Sequence, residues 1–121
     1  MRPERLRISA FGPYAGEEDV DFSVLENHTL FLICGPTGAG KSTILDAMCY
    51  ALYGKTSGAV RSGEDLRSNY VGYDRKTYVE FDFAIGDRHY RIYRSPTQLL
   101  ERQKGDRSKP VEHKGLSLIH I

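Results

Sequence analysis

A glycine-rich segment, residues 35–42, constrains this chain more than any other part of its sequence. It reads Gly-Pro-Thr-Gly-Ala-Gly-Lys-Ser and matches the pattern G-x-x-x-x-G-K-[ST] at every fixed position. The largely apolar residues 29–34 precede it and predict a buried strand, and residues 43–53 predict a helix. A strand, a glycine-rich turn and a helix N-terminus together direct backbone N–H groups toward one point. The sequence therefore predicts a cradle for the phosphates of a nucleoside triphosphate.

Each residue of this phosphate loop has a physical task. The glycines allow positive φ and let the backbone approach phosphate oxygens closely. The Lys41 ammonium is expected to contact the β- and γ-phosphates, the Ser42 hydroxyl to bind Mg²⁺, and Thr43 to serve the α-phosphate. We therefore expect ATP and Mg²⁺ as ligands, with Ser42 on the metal. The expected nucleotide-binding set is Gly35, Pro36, Thr37, Gly38, Ala39, Gly40, Lys41, Ser42 and Thr43. No catalytic base can be named from the sequence.

Size and charge narrow the class of protein. The chain has 121 residues, 40% of them hydrophobic, and a net charge of +1, which fits one modest domain and argues against a strongly basic nucleic-acid binder. No apolar run approaches the roughly 20 residues that span a bilayer, and no secretory signal is evident. Cys34 and Cys49 are expected to be buried thiols, and neither a disulfide nor a zinc site is expected. These features predict a cytoplasmic protein without membrane contact.

Alternating apolar residues predict two antiparallel hairpins on either side of the phosphate loop. Residues 6–10 alternate between apolar and polar side chains, and residues 20–22 are expected to pair with them. Residues 77–85 and 90–93 alternate on either side of a Gly-Asp turn and predict the second hairpin. The helix over residues 43–53 is apolar nearly all round, which predicts that it is buried inside a layered α/β core.

The last part of the chain gives weaker signals. Residues 98–115 carry many charges and few apolar side chains, so a polar loop is expected. Residues 116–121 are apolar, but no partner for them is evident, and a truncated or non-native terminus is expected. The predicted division is therefore residues 1–95 for one lobe and residues 96–121 for the loop and terminus.

The order of elements resembles the nucleotide-binding lobe of ABC-type ATPases. Four blocks narrow the resemblance: ISAFGPY at 8–14, VDF at 20–22, the loop and helix at 35–54, and TYVEF at 77–81. They resemble the N-terminus of the SbcC family, long-coiled-coil DNA-repair ATPases akin to the structural-maintenance-of-chromosomes (SMC) proteins. Over about residues 1–95, this resemblance implies an α/β P-loop NTPase fold. It would be an incomplete ABC-type N-terminal lobe of antiparallel β hairpins, a P-loop strand and a buried helix.

The resemblance also implies a function for a complete protein. In that family the N-terminal lobe pairs with a distant C-terminal lobe across a long coiled coil, and two such heads enclose two ATP molecules. ATP-driven closure controls access of double-stranded DNA ends to an SbcD-like nuclease in DNA repair and recombination. We expect ATP hydrolysis from the full-length protein and not from this chain alone. The chain shows no glutamine loop, signature motif or acidic strand to orient the attacking water.

Two other functions stay open at this point. An ATP-gated, SMC-like DNA clamp without a nuclease partner would differ only in sequence outside this chain. A P-loop small-molecule kinase would need a lid with arginines and an acceptor pocket. The hairpin that precedes the phosphate loop argues against the kinase.

Three further features allow two interpretations each. Residues 66–70 either approach the adenosine, as the resemblance implies, or form a solvated loop. Tyr14 either stacks on adenine or packs at the edge of the sheet. The second hairpin is expected to be basic on one face, from Arg88, His89, Arg91 and Arg94. That face either contacts the DNA backbone or is an ordinary solvated surface.

Overall fold

An antiparallel sheet forms the centre of the computed structural model, which describes residues 1–25, 30, 32–36, 40–55, 66–106 and 109–121. Its strands are β1 (Arg2–Phe11), β2 (Tyr14–Asp21), β3 (Tyr78–Ile85), β4 (Arg88–Ser95) and β7 (Leu116–His120), in the order β2-β1-β3-β4-β7. A separate two-stranded sheet consists of β5 (Gln98–Leu100) and β6 (Val111–His113). The described residues also contain a helix, α1 (Lys41–Tyr53), and a turn of 3₁₀ helix (Phe22–Leu25).

Both predicted hairpins are confirmed. β1 pairs antiparallel with β2, and β3 pairs antiparallel with β4 across a turn in which Gly86 has a φ of 58°. A left-handed residue at this position suits glycine because no Cβ opposes it. The two hairpins join through β1 and β3, where Leu6 lies opposite Phe81. Two of the four strand pairings in this sheet are therefore hairpins that the alternating sequence predicts.

One face of the sheet carries the hydrophobic core. Every second residue of its strands points to this face, as the two-residue period of a strand requires. α1 covers it through Ala47, Tyr50 and Ala51. The buried strand residues of the core are Leu6, Ile8, Phe11, Val79, Phe81, Phe83 and Ile92.

The predicted helix is present, but its predicted burial is wrong. α1 ends at Tyr53, and the left-handed Gly54 that follows donates its N–H to the Tyr50 carbonyl oxygen at 2.8 Å. Leu45 and Tyr53 are more than half exposed. α1 packs against the sheet through one side only, so the apolar residues on its other side stay in contact with solvent.

The strand predicted over residues 29–34 is not formed at residues 30 and 32–34, the part of it that the structure describes. Leu30 and Leu32 are 88% and 83% exposed, and the described residues between 30 and 36 have no strand structure. A strand needs a neighbour for its backbone hydrogen bonds, and no strand of the described sheets pairs with this segment. For the same reason Cys34 is exposed and not a buried thiol, whereas Cys49 in α1 is half-buried.

The end of the chain also differs from the prediction. β7 pairs antiparallel with β4, with Ile119 opposite Ile92, so the expectation that this segment has no partner is wrong. Residues 98–115, expected as a loop, contribute the short strands β5 and β6. The side chains of β7 are exposed, so backbone hydrogen bonding, which composition does not reveal, places this strand. The division at residue 95 stays a prediction.

Candidate nucleotide-binding site

The described part of the phosphate loop leads directly into α1. Gly40 lies in the left-handed region with a φ of 93°, and Lys41 is the first residue of the helix. Among the described residues, no side chain caps this end with a hydrogen bond. The N–H groups of a first helical turn have no acceptor within the helix, so this end of α1 can donate to an anion. Residues 37–39 lie outside the described residues.

The Lys41 side chain turns back across the loop. Its Nζ donates to the Gly35 carbonyl oxygen at 2.6 Å, so the last and first parts of the loop are joined by one hydrogen bond. An ammonium group has three donors, so Lys41 can bind acceptors in addition to the Gly35 carbonyl oxygen. The amine therefore lies beside the first residue of the loop sequence.

The residues present fit a magnesium ion that is shared with the phosphates. The Ser42 hydroxyl, predicted to bind Mg²⁺, belongs to the first turn of α1 and is exposed. In the part of the chain that the structure describes, no group of three or more His, Cys, Asp or Glu residues could hold a metal. Mg²⁺ is commonly bound by one or two protein oxygens, with phosphates and water supplying the rest. Such an ion would neutralise charge on the phosphates.

The turn between β1 and β2 rests on the start of α1. Tyr14 Oη donates to the Gly40 carbonyl oxygen at 3.1 Å. A Cβ built on Gly40 would overlap that hydroxyl, and one on Gly12 would lie 2.9 Å from Cγ2 of Thr43. Both glycines also have positive φ, so close approach and backbone conformation each require them. Sequence reasoning left Tyr14 between adenine and the sheet edge and missed this contact with the loop.

Residues 66–68 are held against the end of β1. The Gly12 N–H donates to the Leu66 carbonyl oxygen at 2.9 Å, and the Ser68 N–H donates to the Ala10 carbonyl oxygen at 2.8 Å. Leu66 and Ser68 are buried, so a solvated loop is the wrong interpretation for them, although Tyr70 is exposed. An approach of this segment to adenosine stays a prediction.

Arg67 lies at the centre of a polar network behind this segment. Its guanidinium donates to Thr77 Oγ1 at 3.0 Å, to Gln98 Oε1 at 2.9 Å and to the Arg75 carbonyl oxygen at 2.6 Å, and it also contacts the Gly72 carbonyl oxygen. Burial lowers the pKa of Arg67 from its ordinary value, and the several acceptors compensate a guanidinium that stays charged.

The network extends from Arg67 to β1. Buried Gln98 accepts from the Thr77 N–H at 2.8 Å and donates to the Thr77 carbonyl oxygen at 2.9 Å. Thr77 Oγ1 in turn donates to the Ala10 carbonyl oxygen at 2.8 Å. Ala10 has a φ of 47° at a register shift of β1, just before the turn that contacts the loop. No spacing in the sequence signals this network, because its hydrogen-bonded partners are 5 to 67 residues apart.

The predicted basic face of the second hairpin is wrong. Arg91 and Arg94 are three residues apart in β4 and therefore point to opposite faces. Arg91 is paired with Asp82 at 2.8 Å and with Glu80 at 3.2 Å. Arg94 donates to the Ala51 carbonyl oxygen at 3.1 Å, on the side of α1. These cations are engaged with the protein itself and form no common surface for phosphates.

The face of the sheet opposite α1 is a ladder of alternating charges. Across the strands one row runs Asp21, Arg5, Asp82, Arg91 and His120. Each arginine of this row has a carboxylate on a neighbouring strand, and such opposite charges attract. Arg5 also pairs with Asp19, and its hydrogen bond lowers the pKa of that carboxyl group. This face is charge-compensated, which favours the interpretation of an ordinary solvated surface.

A concavity of about 580 Å³ lies elsewhere, beside β5 and β6. Groups of both charge signs line it, and none of the lining residues belongs to the phosphate loop. They include Tyr73, Asp74, Lys76, Glu101, Arg102 and His113. Among the described helices, none combines the length and apolar character that a bilayer crossing requires.

Comparison with known proteins tests the resemblance to the SbcC family. Residues 5–118 match the family described as an AAA domain. The chain is 46% identical over 113 residues to the SbcC subunit of the SbcCD nuclease of Vibrio cholerae serotype O1, a match that covers 93% of the chain and 11% of that relative. The protein of the same name from Lactococcus lactis is 46% identical over 108 residues, 89% of the chain and 10% of the relative. The one from Staphylococcus aureus strain MRSA252 is 43% identical over 101 residues, 84% of the chain and 10% of the relative.

These matches confirm the resemblance to the SbcC family. The chain spans about a tenth of the length of the curated relatives it matches. An α/β protein with a largely antiparallel sheet agrees with a P-loop NTPase of this kind. The chain belongs to the AAA domain family, and within it to the relatives of the SbcC subunit of the SbcCD nuclease.

Proposed function

We propose that this chain is the ATP-binding part of an SbcC-like ATPase. One observation carries the proposal: α1 begins at Lys41, its N-terminus has no side-chain cap among the described residues, and Lys41 reaches back to Gly35 at 2.6 Å. The helix end and the amine offer donors to the same region, which suits a multiply charged phosphate chain. The proposed site comprises Gly35, Pro36, Thr37, Gly38, Ala39, Gly40, Lys41, Ser42 and Thr43.

Different residues of the proposed site would bind different parts of the nucleotide. The N–H groups at the start of α1 would donate to phosphate oxygens, Lys41 would contact the β- and γ-phosphates, and Ser42 would hold Mg²⁺ together with the phosphates. Thr37, Gly38 and Ala39 belong to the proposed site on their sequence alone. Hydrolysis requires a group that orients water, and we propose that the complete protein supplies it from outside this chain.

The complete protein is proposed to be a cytoplasmic ATPase that controls a partner nuclease. ATP would bring together the lobes of two copies, and this closure would gate the access of double-stranded DNA ends to an SbcD-like nuclease. The relatives are named as one subunit of the SbcCD nuclease, which supports a nuclease partner. Exposed Leu30, Leu32 and Leu45 support a further lobe that covers these side chains, because such side chains gain from burial.

Ligand-dependent thermal unfolding tests the nucleotide site. In the complete protein, Mg²⁺ and ATP at a hundred times the dissociation constant should stabilise the folded state by about 2.7 kcal/mol. EDTA removes Mg²⁺ and with it the Mg²⁺-dependent part of this stabilisation. Ser42→Ala should reduce that part, whereas Ser117→Ala on β7 should leave it unchanged. Absence of any shift with millimolar ATP would contradict the proposal.

A nuclease assay tests the proposed gating. The complete protein together with its partner nuclease should degrade double-stranded DNA ends in an ATP-dependent manner, and a non-hydrolysable analogue should alter that rate. ATP-dependent DNA binding without any nuclease partner would favour the clamp instead. No observation in the described residues favours a small-molecule kinase.

A further inference from the structure

The turn between β1 and β2 contacts the start of α1 at two separate points. Gly12 lies against the Thr43 side chain, and the Tyr14 hydroxyl donates to the Gly40 carbonyl oxygen at 3.1 Å. Tyr14 is half-buried and packs against the hydrophobic core, so its ring is supported from behind. The hydroxyl therefore belongs to a residue of β2 that packs against the core, whereas its acceptor belongs to the phosphate loop.

This hydrogen bond fixes the orientation of a peptide group. The peptide bond between Gly40 and Lys41 is trans, and in a planar trans peptide the C=O and N–H vectors point in opposite directions. Because the carbonyl points to Tyr14, the Lys41 N–H points away from it. That N–H belongs to the first residue of α1 and has no acceptor within the helix.

The Tyr14 hydroxyl adds a second restraint on this peptide. Gly40 is the N-cap of α1, and the carbonyl of an N-cap residue accepts the first hydrogen bond of the helix. Because glycine has more conformational freedom than other residues, a further hydrogen bond to this carbonyl at 3.1 Å favours the observed orientation. A rotated peptide would direct a carbonyl oxygen, and not an N–H, toward the loop. A carbonyl dipole in that orientation repels an anion.

We propose that Tyr14 is a positioning residue for phosphate binding: its hydroxyl holds the Gly40–Lys41 peptide with the Lys41 N–H directed at the β-phosphate of a bound nucleotide. This inference rests on the proposed ATP site and adds a residue that the G-x-x-x-x-G-K-[ST] pattern does not contain. The Lys41 N–H would therefore have its binding orientation before the nucleotide binds.

The test compares two tyrosine hydroxyls in the complete protein. Tyr14→Phe removes the hydroxyl and keeps the ring. Tyr78→Phe is the matched control, because Tyr78 donates its hydroxyl to Glu17 at 2.5 Å on the other face of the sheet. Displacement of a fluorescent ATP analogue by ATP, ADP and AMP gives the three affinities, and thermal unfolding without nucleotide gives the stability of each variant.

We expect Tyr14→Phe to weaken ATP and ADP binding about fivefold, the scale of one hydrogen bond, with little change for AMP, which lacks the β-phosphate. The unfolding temperature without nucleotide should stay within about 2 °C of the unsubstituted protein. Tyr78→Phe should leave all three affinities unchanged.

Four results would overturn the inference. Unchanged ATP and ADP affinities would show that the hydroxyl does not act on the phosphates. Equal weakening for ATP, ADP and AMP would assign Tyr14 to the adenosine. A large fall in unfolding temperature with equal losses of all ligands would assign it to packing. Failure of the unsubstituted protein to bind ATP at all would refute the proposed function itself, and with it this role.

Discussion

The central sheet and the segment before the phosphate loop both carry apolar side chains, but those of the sheet are buried and those of the segment are exposed. Phe81 in β3 is fully buried, whereas Leu32 is 83% exposed. β3 has a hydrogen-bonded neighbour on each side, β1 and β4, and lies under α1. The described residues between 30 and 36 have no such neighbour. An apolar sequence therefore becomes a buried strand only where other strands accept its backbone groups.

Truncation of core side chains should show this contrast most strongly. Phe81→Ala is expected to lower the free energy of unfolding by about 3–5 kcal/mol, because it leaves a cavity between the sheet and α1. Leu32→Ala, an exposed position, should change it by less than about 0.5 kcal/mol. Denaturant unfolding of both variants measures the difference. Equal losses would mean that Leu32 is covered in the folded protein.

The phosphate loop should respond in binding and not in stability. Lys41→Ala is expected to cost roughly 3 kcal/mol of ATP binding or transition-state stabilisation, the scale of one preorganised donor. Lys104→Ala removes an exposed lysine outside the loop and is the matched control. Fluorescent-ATP affinity and the ATPase rate of the complete protein measure the effect. If both variants bind ATP equally well, Lys41 has no part in the site.

The polar network should give an intermediate effect. Gln98→Ala is expected to lower the free energy of unfolding by about 1–3 kcal/mol, because it leaves the Thr77 backbone without its buried side-chain partner. Gln103→Ala, at an exposed position after β5, serves as control. Denaturant unfolding measures both. A loss below about 0.5 kcal/mol would mean that water replaces the amide and that the network contributes little.

The charge ladder should give the smallest effect, visible mainly in its pH dependence. The hydrogen bond from Arg5 lowers the pKa of Asp19 below its unfolded value, so the folded state binds fewer protons and gains stability above about pH 4. This gain is lost as the pH falls through the lowered pKa. The stability difference between the natural protein and Asp19→Asn should therefore shrink below about pH 4. An unfolding series from about pH 2 to 7 measures it, and a difference that grows toward low pH would contradict the assignment.

Local signals made the hairpins and the helix predictable. The alternation of apolar residues fixes which face of a strand is buried, and Gly54 marks the end of α1 because a left-handed residue there costs glycine little. The phosphate-loop pattern likewise depends on adjacent residues. Contacts that join distant residues left no such signal: Tyr14 with Gly40, the Arg67 network, and the pairing of β7 with β4.

The sequence by itself determined the two hairpins, the position of α1 and the family, and the phosphate-binding role of residues 35–42 stays a prediction. These depend on interactions within a turn or between adjacent strands, which the order of residues encodes directly. Only the tertiary structure decided which apolar segments are buried, which cations are already paired and which hydroxyl holds the loop. These features depend on contacts between residues that are distant in the sequence. Each polar or apolar group in them could instead contact solvent or another strand.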